Sequence, residues 1–226
     1  MQQHRLGVCR QLDDLLVREH PLRLVIDGRH TLTTSCSPSH LTEWAYGHLW
    51  TEGLISSVDE VCTLRMDDGY LTIGLRVQRE IPGEPVPVAS SLRVPLPRVL
   101  ELALAASAQA TVFRSTGGTH HAALADRQGI HSLLEDISRS CALEKIAGRM
   151  LMDGLPGADK LLLLSGRVSR CTVRAAARMG LPIVVAVSAP TADAARLADR
   201  LDICLCGFVR EERANVYTHA WRVASR

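Results

Sequence analysis

The hydrophobic pattern is clearest in the last third of the chain. Short continuous apolar runs at residues 161–164, 183–187 and 203–206 have the length expected of parallel strands that are covered on both faces. The stretches between these runs carry apolar residues at helical spacing, and Ser169 and Thr191 are suited to cap the two helices. This β-α-β-α-β order predicts an α/β fold with a right-handed parallel arrangement.

In the first part of the chain, short strand-like segments are separated by turn signals, a pattern that predicts β-hairpins. Residues 22–27 and 30–34 form one candidate hairpin. Residues 58–66 and 70–77 form a second one, around the turn signal Asp67-Asp68-Gly69. We therefore expect antiparallel strand pairs in this region rather than further βαβ units.

A helix and a linker are predicted between these hairpins and the C-terminal part of the chain, together with a second helix that follows the linker. Apolar residues recur at helical spacing over residues 39–52, and the proline-rich residues 81–97 are predicted as a loop or linker. A helix rich in Ala and Leu is predicted at residues 98–108. The chain is thus divided into an N-terminal α+β lobe, residues 1–97, with hairpins and one helix, and an α/β core, residues 98–226.

Composition excludes several classes of function. Apolar residues make up 46% of the chain and charged residues 22%, which is typical of a globular protein, and a net charge of +2 gives no reason to expect nucleic-acid or membrane binding. No apolar stretch of signal-peptide length begins the sequence, so a cytoplasmic protein with reduced thiols is predicted. Among the seven cysteines, Cys204 and Cys206 alternate within a predicted strand and are assigned a structural role.

The segment at residues 113–123 is the most distinctive. Gly117-Gly118 is predicted to enter a helix of small residues, where backbone N–H groups approach an anion, and His120 and His121 follow in the first turn. A plain glycine turn with solvent-facing histidines is the simpler interpretation of this segment taken alone.

Two predicted strand ends also carry candidate ligand-binding residues. Ser165, Gly166 and Arg167 follow one buried strand, while Ser188 and Thr191 lie in the turn after the next. The carboxyl ends of parallel strands are where α/β proteins bind ligands, and an arginine fork suits phosphate. Ordinary helix capping explains Ser169 and Thr191 fully, but it explains Arg167 less well.

Residues 135–145 lead from a strand end into a helix. A thiol at Cys141, in the first helical turn beside Arg139, is predicted to have a lowered pKa and some thiolate character. In the alternative interpretation Glu135 and Asp136 cap the helix and Cys141 is buried. The residues alone leave both interpretations open.

Seven segments in order along the chain resemble motifs of the FdhD family, the formate dehydrogenase accessory sulfurtransferases. They are residues 36–41 with 49–55, and residues 113–124, 135–145, 165–169, 188–191, 207–210 and 215–218. The second, for example, resembles the family's Phe-x-x-Thr-Gly-Gly-x-His-Ala-Ala block. An ungapped match puts the family histidine at His120, and one inserted residue moves it to His121.

The resemblance implies a fold, a ligand and partners. The fold is a cytidine-deaminase-like three-layer core with a smaller N-terminal α+β lobe, and the protein is expected to be a homodimer. The ligand is molybdopterin guanine dinucleotide, bound as a client. The partners are a cysteine desulfurase and a molybdenum or tungsten formate dehydrogenase. The residues expected to bind the cofactor are Thr116, Gly117, Gly118, His120, His121, Asp136, Arg139, Ser165, Gly166, Arg167, Ser188 and Thr191.

The sequence departs from the family where sulfur is carried. The family's Ser-Cys-Gly-x-Cys-Gly should follow Ser90-Ser91, but the chain continues as Leu92-Arg93-Val94-Pro95 without a cysteine. New cysteines, Cys141 and Cys171, stand near helix starts instead. The first hypothesis is therefore a diverged sulfurtransferase in which Cys141 or Cys171 is the catalytic thiol. The second is a cofactor-binding chaperone or paralogue that has lost sulfur transfer.

A third hypothesis is a zinc site. His120 or His121, together with Cys141 and Cys171, is the His/Cys/Cys set that zinc deaminases use. Those enzymes also need a glutamate two residues after the histidine, and this chain has alanine at both possible positions, 122 and 123. Deaminase chemistry is therefore not expected even with zinc bound.

Overall fold

The computed structural model describes residues 1–67, 69–76 and 83–224. The helices are α1 (Leu41–Glu52), α2 (Leu96–Gln109), α3 (Thr111–Thr116), α4 (Arg139–Met152), α5 (Arg170–Arg178) and α6 (Ala192–Arg200). The strands are β1 (Gln2–Arg5), β2 (Val8–Gln11), β3 (His20–Ile26), β4 (Arg29–Cys36), β5 (Val61–Asp67), β6 (Tyr70–Leu75), β7 (His120–Ala125), β8 (Ile130–Asp136), β9 (Leu161–Leu164), β10 (Ile183–Ala186), β11 (Cys204–Gly207) and β12 (Asn215–Thr218). Asp68 of the predicted turn, Val77 of the predicted strand, residues 81–82 of the predicted linker and residues 225–226 lie outside the described residues.

A six-stranded sheet in the order β12-β11-β10-β9-β7-β8 forms the centre of the molecule. Strands β9, β10 and β11 are parallel, and Ile183 lies beside both Leu161 and Cys204. The other strands pair antiparallel. The predicted α/β class and the parallel unit are confirmed.

Helices cover both faces of this sheet. Leu124, Leu162 and Leu205 pack in one apolar cluster with residues of α4, α5 and α6. The alternate positions, such as Leu163 and Cys206, pack with α2 on the other face. Cys204 and Cys206 are buried there with their sulfurs 3.9 Å apart, which supports their structural role. The cytidine-deaminase-like arrangement itself stays a prediction.

The N-terminal lobe has its own sheet, in the order β4-β3-β6-β5. Both predicted hairpins are present, and a parallel pairing of β3 with β6 joins them into one sheet. Its apolar face packs on α1 around the fully buried Trp44. The end of the predicted linker is part of the α/β core, because Leu92 and Val94 pack in the apolar cluster between α2 and the central sheet. The predicted boundary at 97/98 falls within the first turn of α2.

The predicted helix after Gly117-Gly118 is wrong. Gly117 has a left-handed φ of 69° and ends α3, and His120 begins strand β7. Ala122 and Ala123 favour helices by propensity, but here they pair with β8 and β9 on either side. Pairing with strands distant in sequence thus overrides the local preference. Among the described residues no helix has the length and apolar character needed to cross a bilayer.

Candidate functional site

The loops that follow β9 and β10 lie side by side at the carboxyl edge of the sheet. The backbone N–H of Val168 donates to the oxygen of Ala189 at 3.2 Å, and the N–H of Thr191 donates to the oxygen of Val168 at 2.9 Å. Ser169 and Thr191 cap α5 and α6, as predicted. The two loops are therefore hydrogen-bonded to each other at the edge where the sequence predicts a ligand-binding crevice.

His120 and Arg139 extend this crevice towards β7 and α4. The His120 Nδ1 atom lies 3.2 Å from Ser165 Oγ. A Cβ atom placed on Gly166 would lie only 3.1 Å from Arg139 Cβ, so the arginine stem crosses the glycine directly. Burial and the positive charge of Arg139 lower the pKa of His120. The imidazole of His120, in which the neutral form is favoured, thus lies near the exposed guanidinium of Arg139, a group suited to phosphate oxygens. Arg167, also exposed, lies two residues after Ser165 in the loop that follows β9.

His121 faces the opposite side of the sheet. It pairs with Glu135, whereas His120 pairs with Asp136, and side chains of neighbouring strand residues alternate between faces. His121 is 5% exposed, and its Nδ1 atom has no hydrogen-bond partner among the described residues. Burial lowers its pKa, although the charge of Glu135 acts in the other direction. The structure therefore places His120, rather than His121, at the carboxyl-edge crevice.

A separate cavity of about 550 Å³ lies beside the edge strand β8, between α3 and the segment that follows β4. It is lined by Thr116 and Glu135, among others. Glu135 does not cap α4. Its carboxylate accepts hydrogen bonds from the N–H groups of Val112 and Phe113, at 2.9 and 2.7 Å, and so caps α3 instead. Thr116 is thereby separated from the residues around Arg139.

The backbone amides of Gly117 and Gly118 are already hydrogen-bonded within the chain. Gly117 N–H donates to the oxygen of Phe113 at 2.7 Å, and Gly118 N–H donates to Thr116 Oγ1 at 3.1 Å. The predicted anion site at a helix N-terminus is wrong here, because the glycines stand at the C-terminal end of α3. Carbonyl oxygens, rather than N–H groups, are left free at such an end.

Asp136 does not line the candidate site but belongs to a buried network of an ion pair and hydrogen bonds. Its carboxylate lies 2.5 Å from Lys145 Nζ, and both side chains are fully buried. The same carboxylate accepts the N–H groups of Ser37 at 3.0 Å and Ser138 at 2.8 Å. Lys145 also donates to the Ser37 oxygen at 3.1 Å. This network fastens the N-terminal lobe to the core, and the sequence motif alone did not reveal it.

The two candidate catalytic cysteines lie in different environments. Cys141 is buried against the apolar core of the N-terminal lobe. Burial, with the nearby charge of Glu144, raises its pKa, so the predicted lowering of this pKa is wrong. Cys171 is exposed and lines a cavity of about 160 Å³ together with Ser140 and Ser169.

The predicted zinc ligands do not come together. Within residues 1–67, 69–76 and 83–224, no group of three His, Cys, Asp or Glu side chains is arranged to hold a metal ion. His120 and His121 face opposite sides of the sheet, and Cys141 is buried while Cys171 is exposed. The geometry therefore gives the zinc hypothesis no support.

Comparison with known proteins agrees with this architecture. The chain matches the FdhD/NarQ family over residues 17–84 and 74–224. It is 32% identical to the sulfur carrier protein FdhD of Shouchella clausii, covering 94% of this chain and 91% of that protein. It is 31% identical to the same protein of Bacillus subtilis, covering 96% and 93%.

A solved structure shares the fold. The crystal structure of a candidate formate dehydrogenase accessory protein from Desulfotalea psychrophila superposes with a TM-score of 0.84 at 21% identity, covering 99% of this chain and 96% of that one. The match to the family model and to these relatives extends over nearly the whole chain. The chain therefore belongs to the FdhD/NarQ family.

Proposed function

We propose that this protein is an accessory factor for a molybdenum or tungsten formate dehydrogenase and binds molybdopterin guanine dinucleotide as its client. The observation that supports this most directly is the meeting of His120, Arg139 and Ser165 at the carboxyl edge of the sheet. The partner enzyme is supported by the structural neighbour, which is named as a formate dehydrogenase accessory protein, and a role in sulfur transfer is supported by relatives that are named as sulfur carrier proteins. The client is the one that the family resemblance implies. A cytoplasmic homodimer is part of the same proposal.

The crevice suits the pyrophosphate of such a client. Arg139 and Arg167 provide exposed guanidinium groups, which form bidentate hydrogen bonds with phosphate oxygens. The missing side chain of Gly166 lets the stem of Arg139 lie directly against the loop after β9, which brings this guanidinium to the candidate site. Ser188 and Thr191 border the same loops, and their roles stay predictions. Asp136 is excluded from direct contact in this proposal because it is fully buried.

Calorimetric titration with GDP tests the binding function. We expect the wild-type protein to bind GDP, and Arg139→Gln or Arg167→Gln to weaken binding about tenfold or more, since hydrogen bonds to charged groups contribute roughly 1.5–3 kcal/mol. The matched control is Arg127→Gln, an exposed arginine in the turn between β7 and β8 at the other end of the sheet. Absence of GDP binding by the wild-type protein would refute the proposal.

Sulfur loading is proposed at Cys171 rather than Cys141. The Cys171 thiolate attacks the outer sulfur of the persulfide on a cysteine desulfurase. The donor's sulfur–sulfur bond breaks, a new one forms on Cys171, and the donor's cysteine leaves as a thiolate. No external oxidant or reductant is needed for this exchange. Exposure of Cys171 favours it, whereas Cys141 is buried and has a raised pKa.

The second candidate function is a cofactor-binding chaperone without sulfur transfer. The segment around Ser90–Leu92, where the family carries its cysteines, is fixed to the core by hydrogen bonds. The buried Arg222 donates to the oxygens of Ser90 at 2.9 Å and Leu92 at 3.3 Å. This segment therefore has neither a thiol nor a free loop.

Intact-mass measurement after incubation with a cysteine desulfurase and cysteine separates the two functions. A gain of one sulfur atom that maps to Cys171 supports sulfur transfer. This gain should be absent in Cys171→Ser and present in Cys62→Ser, the control at another exposed cysteine. If the wild-type protein gains no sulfur while a relative with the Cys-x-x-Cys motif does, the chaperone function stands alone.

A further inference from the structure

The outer face of α5 carries three arginines and no acidic residue. Arg170, Arg174 and Arg178 recur at every fourth position, so they lie on one face of the helix, which we call the α5 arginine face. The helix contains no Asp or Glu. In α2, by contrast, the exposed Arg98 pairs with Glu101 one turn away at 2.8 Å. Negative charge for the α5 arginine face must therefore come from outside the helix.

One carboxylate of the chain lies on this face. Arg170 Nη2 donates to the carboxylate of Glu84 at 2.6 Å, and Arg178 donates to the backbone oxygen of Gly83 at 3.3 Å. Two arginines that are two helical turns apart thus bind two consecutive residues. The hydrogen bond from Arg170, together with the charges of Arg170, Arg174 and a further arginine of α6, lowers the pKa of Glu84. A carboxylate is therefore the group that this face binds within the chain itself.

Glu84 does not neutralise the whole face. Arg174 lies midway between the two arginines that bind Gly83 and Glu84, and its Nε atom is buried with no hydrogen-bond partner among the described residues. Its charge adds to burial in lowering the pKa of Arg178, although Glu52 and Glu84 act in the other direction. The pair of Glu84 with Arg170 is also exposed to solvent, and such pairs add little stability. A segment with more carboxylates can therefore displace Glu84.

We propose that the α5 arginine face is a docking surface for an acidic peptide segment of a partner protein, and that Glu84 occupies it when the partner is absent. Guanidinium groups form bidentate hydrogen bonds with carboxylates, and an extended acidic segment presents several of them to the successive arginines. Nucleic acid is the less favoured occupant, because a carboxylate already binds here and the net charge of the chain is only +2.

The position of this face gives the docking surface a use. Cys171 is the residue after Arg170 and is exposed at the start of α5. A partner that docks on the α5 arginine face is therefore held beside this thiol. The inference goes beyond the proposed function and does not depend on it, since binding of an acidic segment needs neither a nucleotide nor sulfur transfer.

Fluorescence anisotropy with a fluorescein-labelled hexaglutamate peptide tests the surface. We expect the wild-type protein to bind this peptide, and Arg170→Gln and Arg174→Gln each to weaken binding about two- to fivefold. Raising NaCl from about 0.05 to about 0.3 M should also weaken it, because exposed charges are screened by salt. The control is Arg127→Gln, at an exposed arginine in the turn between β7 and β8, which should bind as the wild-type protein does.

Glu84→Gln provides the sharper test, because loss of an internal competitor should strengthen binding. We expect the affinity for hexaglutamate to rise about two- to fivefold. The matched control is Glu101→Gln, which removes a carboxylate that is also paired with an arginine and changes the net charge equally. This control should leave the affinity unchanged. Equal effects of the two substitutions would show that net charge alone acts, and would overturn the docking surface.

Further results would also overturn it. They are a wild-type protein that does not bind hexaglutamate, an affinity that Arg170→Gln and Glu84→Gln leave unchanged, and tighter binding of a single-stranded RNA hexamer that the arginine variants weaken. Arg170 and Glu84 are both exposed, so loss of folding does not obscure these measurements. GDP binding is measured separately, and its absence refutes the proposed function without affecting the docking surface.

Discussion

Gly47 of α1 and Gly148 of α4 face each other at a helix crossing that leaves no space for a side chain on either. A Cβ atom on Gly47 would lie 1.7 Å from the backbone oxygen of Glu144, and one on Gly148 would lie 1.8 Å from that of Glu43. Backbone atoms cannot rotate aside, so the helices would have to separate. This crossing joins the N-terminal lobe to the core.

Gly148→Ala is expected to lower the free energy of unfolding by about 3 kcal/mol, because overpacking outweighs the roughly 1 kcal/mol gained in helix propensity. Urea denaturation measures it. Gly129→Ala is the control, since nothing lies within 4 Å of a Cβ atom at that position. Equal stabilities of the two variants would contradict the close crossing.

The Asp136–Lys145 pair predicts strong coupling between its partners. Lys145→Met leaves a buried carboxylate without its counter-charge, and we expect a loss of about 3–5 kcal/mol. Asp136→Asn is expected to cost a comparable amount, and the double variant less than the sum of the two. A double-mutant cycle by urea denaturation gives the coupling energy. Additive losses would show that the two side chains act independently.

The pair of His48 and Glu144 makes stability depend on pH. Burial lowers the pKa of His48, but the hydrogen bond and charge of Glu144, with the charge of Glu52, outweigh it and raise the pKa above 6.5. The folded state therefore binds this proton more tightly than the unfolded state does. Its stabilising contribution is complete below the unfolded-state pKa and is lost as pH rises through the folded-state pKa.

We expect the stability difference between the wild-type protein and His48→Gln to shrink as pH rises from about 6 to about 9. Chemical denaturation at a series of pH values measures this difference. His131→Gln, at an exposed ion pair with Asp126, provides a comparison at another site. A difference that grows with pH would show that His48 is not the proton-binding group.

The cysteines are expected to differ in reactivity. Cys141 is buried with a raised pKa, so iodoacetamide should alkylate it at least about tenfold more slowly than the exposed Cys171 at about pH 8. Peptide mapping of timed samples gives the two rates, and unfolding in urea should equalise them. Equal rates in the folded protein would contradict the burial of Cys141.

Local patterns predicted the elements that depend on local sequence. The strands at residues 161–164 and 183–187 were recognisable because parallel strands are apolar on both faces. Ser169 and Thr191 act as the predicted caps, since a cap needs only residues within one turn. The seven motifs, in their order along the chain, identified the family that the comparisons confirm.

Features that depend on distant residues were not predictable in the same way. The small neighbours of His120 favour a helix, and only the pairing of His120 with Asp136 of β8, and of the following residues with β9, makes it part of a strand. The raised pKa of Cys141 arises from burial and from Glu144, which outweigh its position in a first helical turn. Asp136 contacts Ser37, 99 positions away, so its role in the buried network could not be read from its own motif.

Arg222 has a consequence for the synthesis of this protein. Its guanidinium meets the oxygen of Ser90, which the ribosome adds 132 residues earlier. At roughly 5–20 residues per second, the Ser90 segment waits on the order of ten seconds for its partner. During that interval Leu92 and Val94, which are buried in the finished core, lack the part of their apolar cluster that Val223 provides. The hydrogen bond between Arg222 and the segment before α2 can therefore form only after residue 222 has been synthesised.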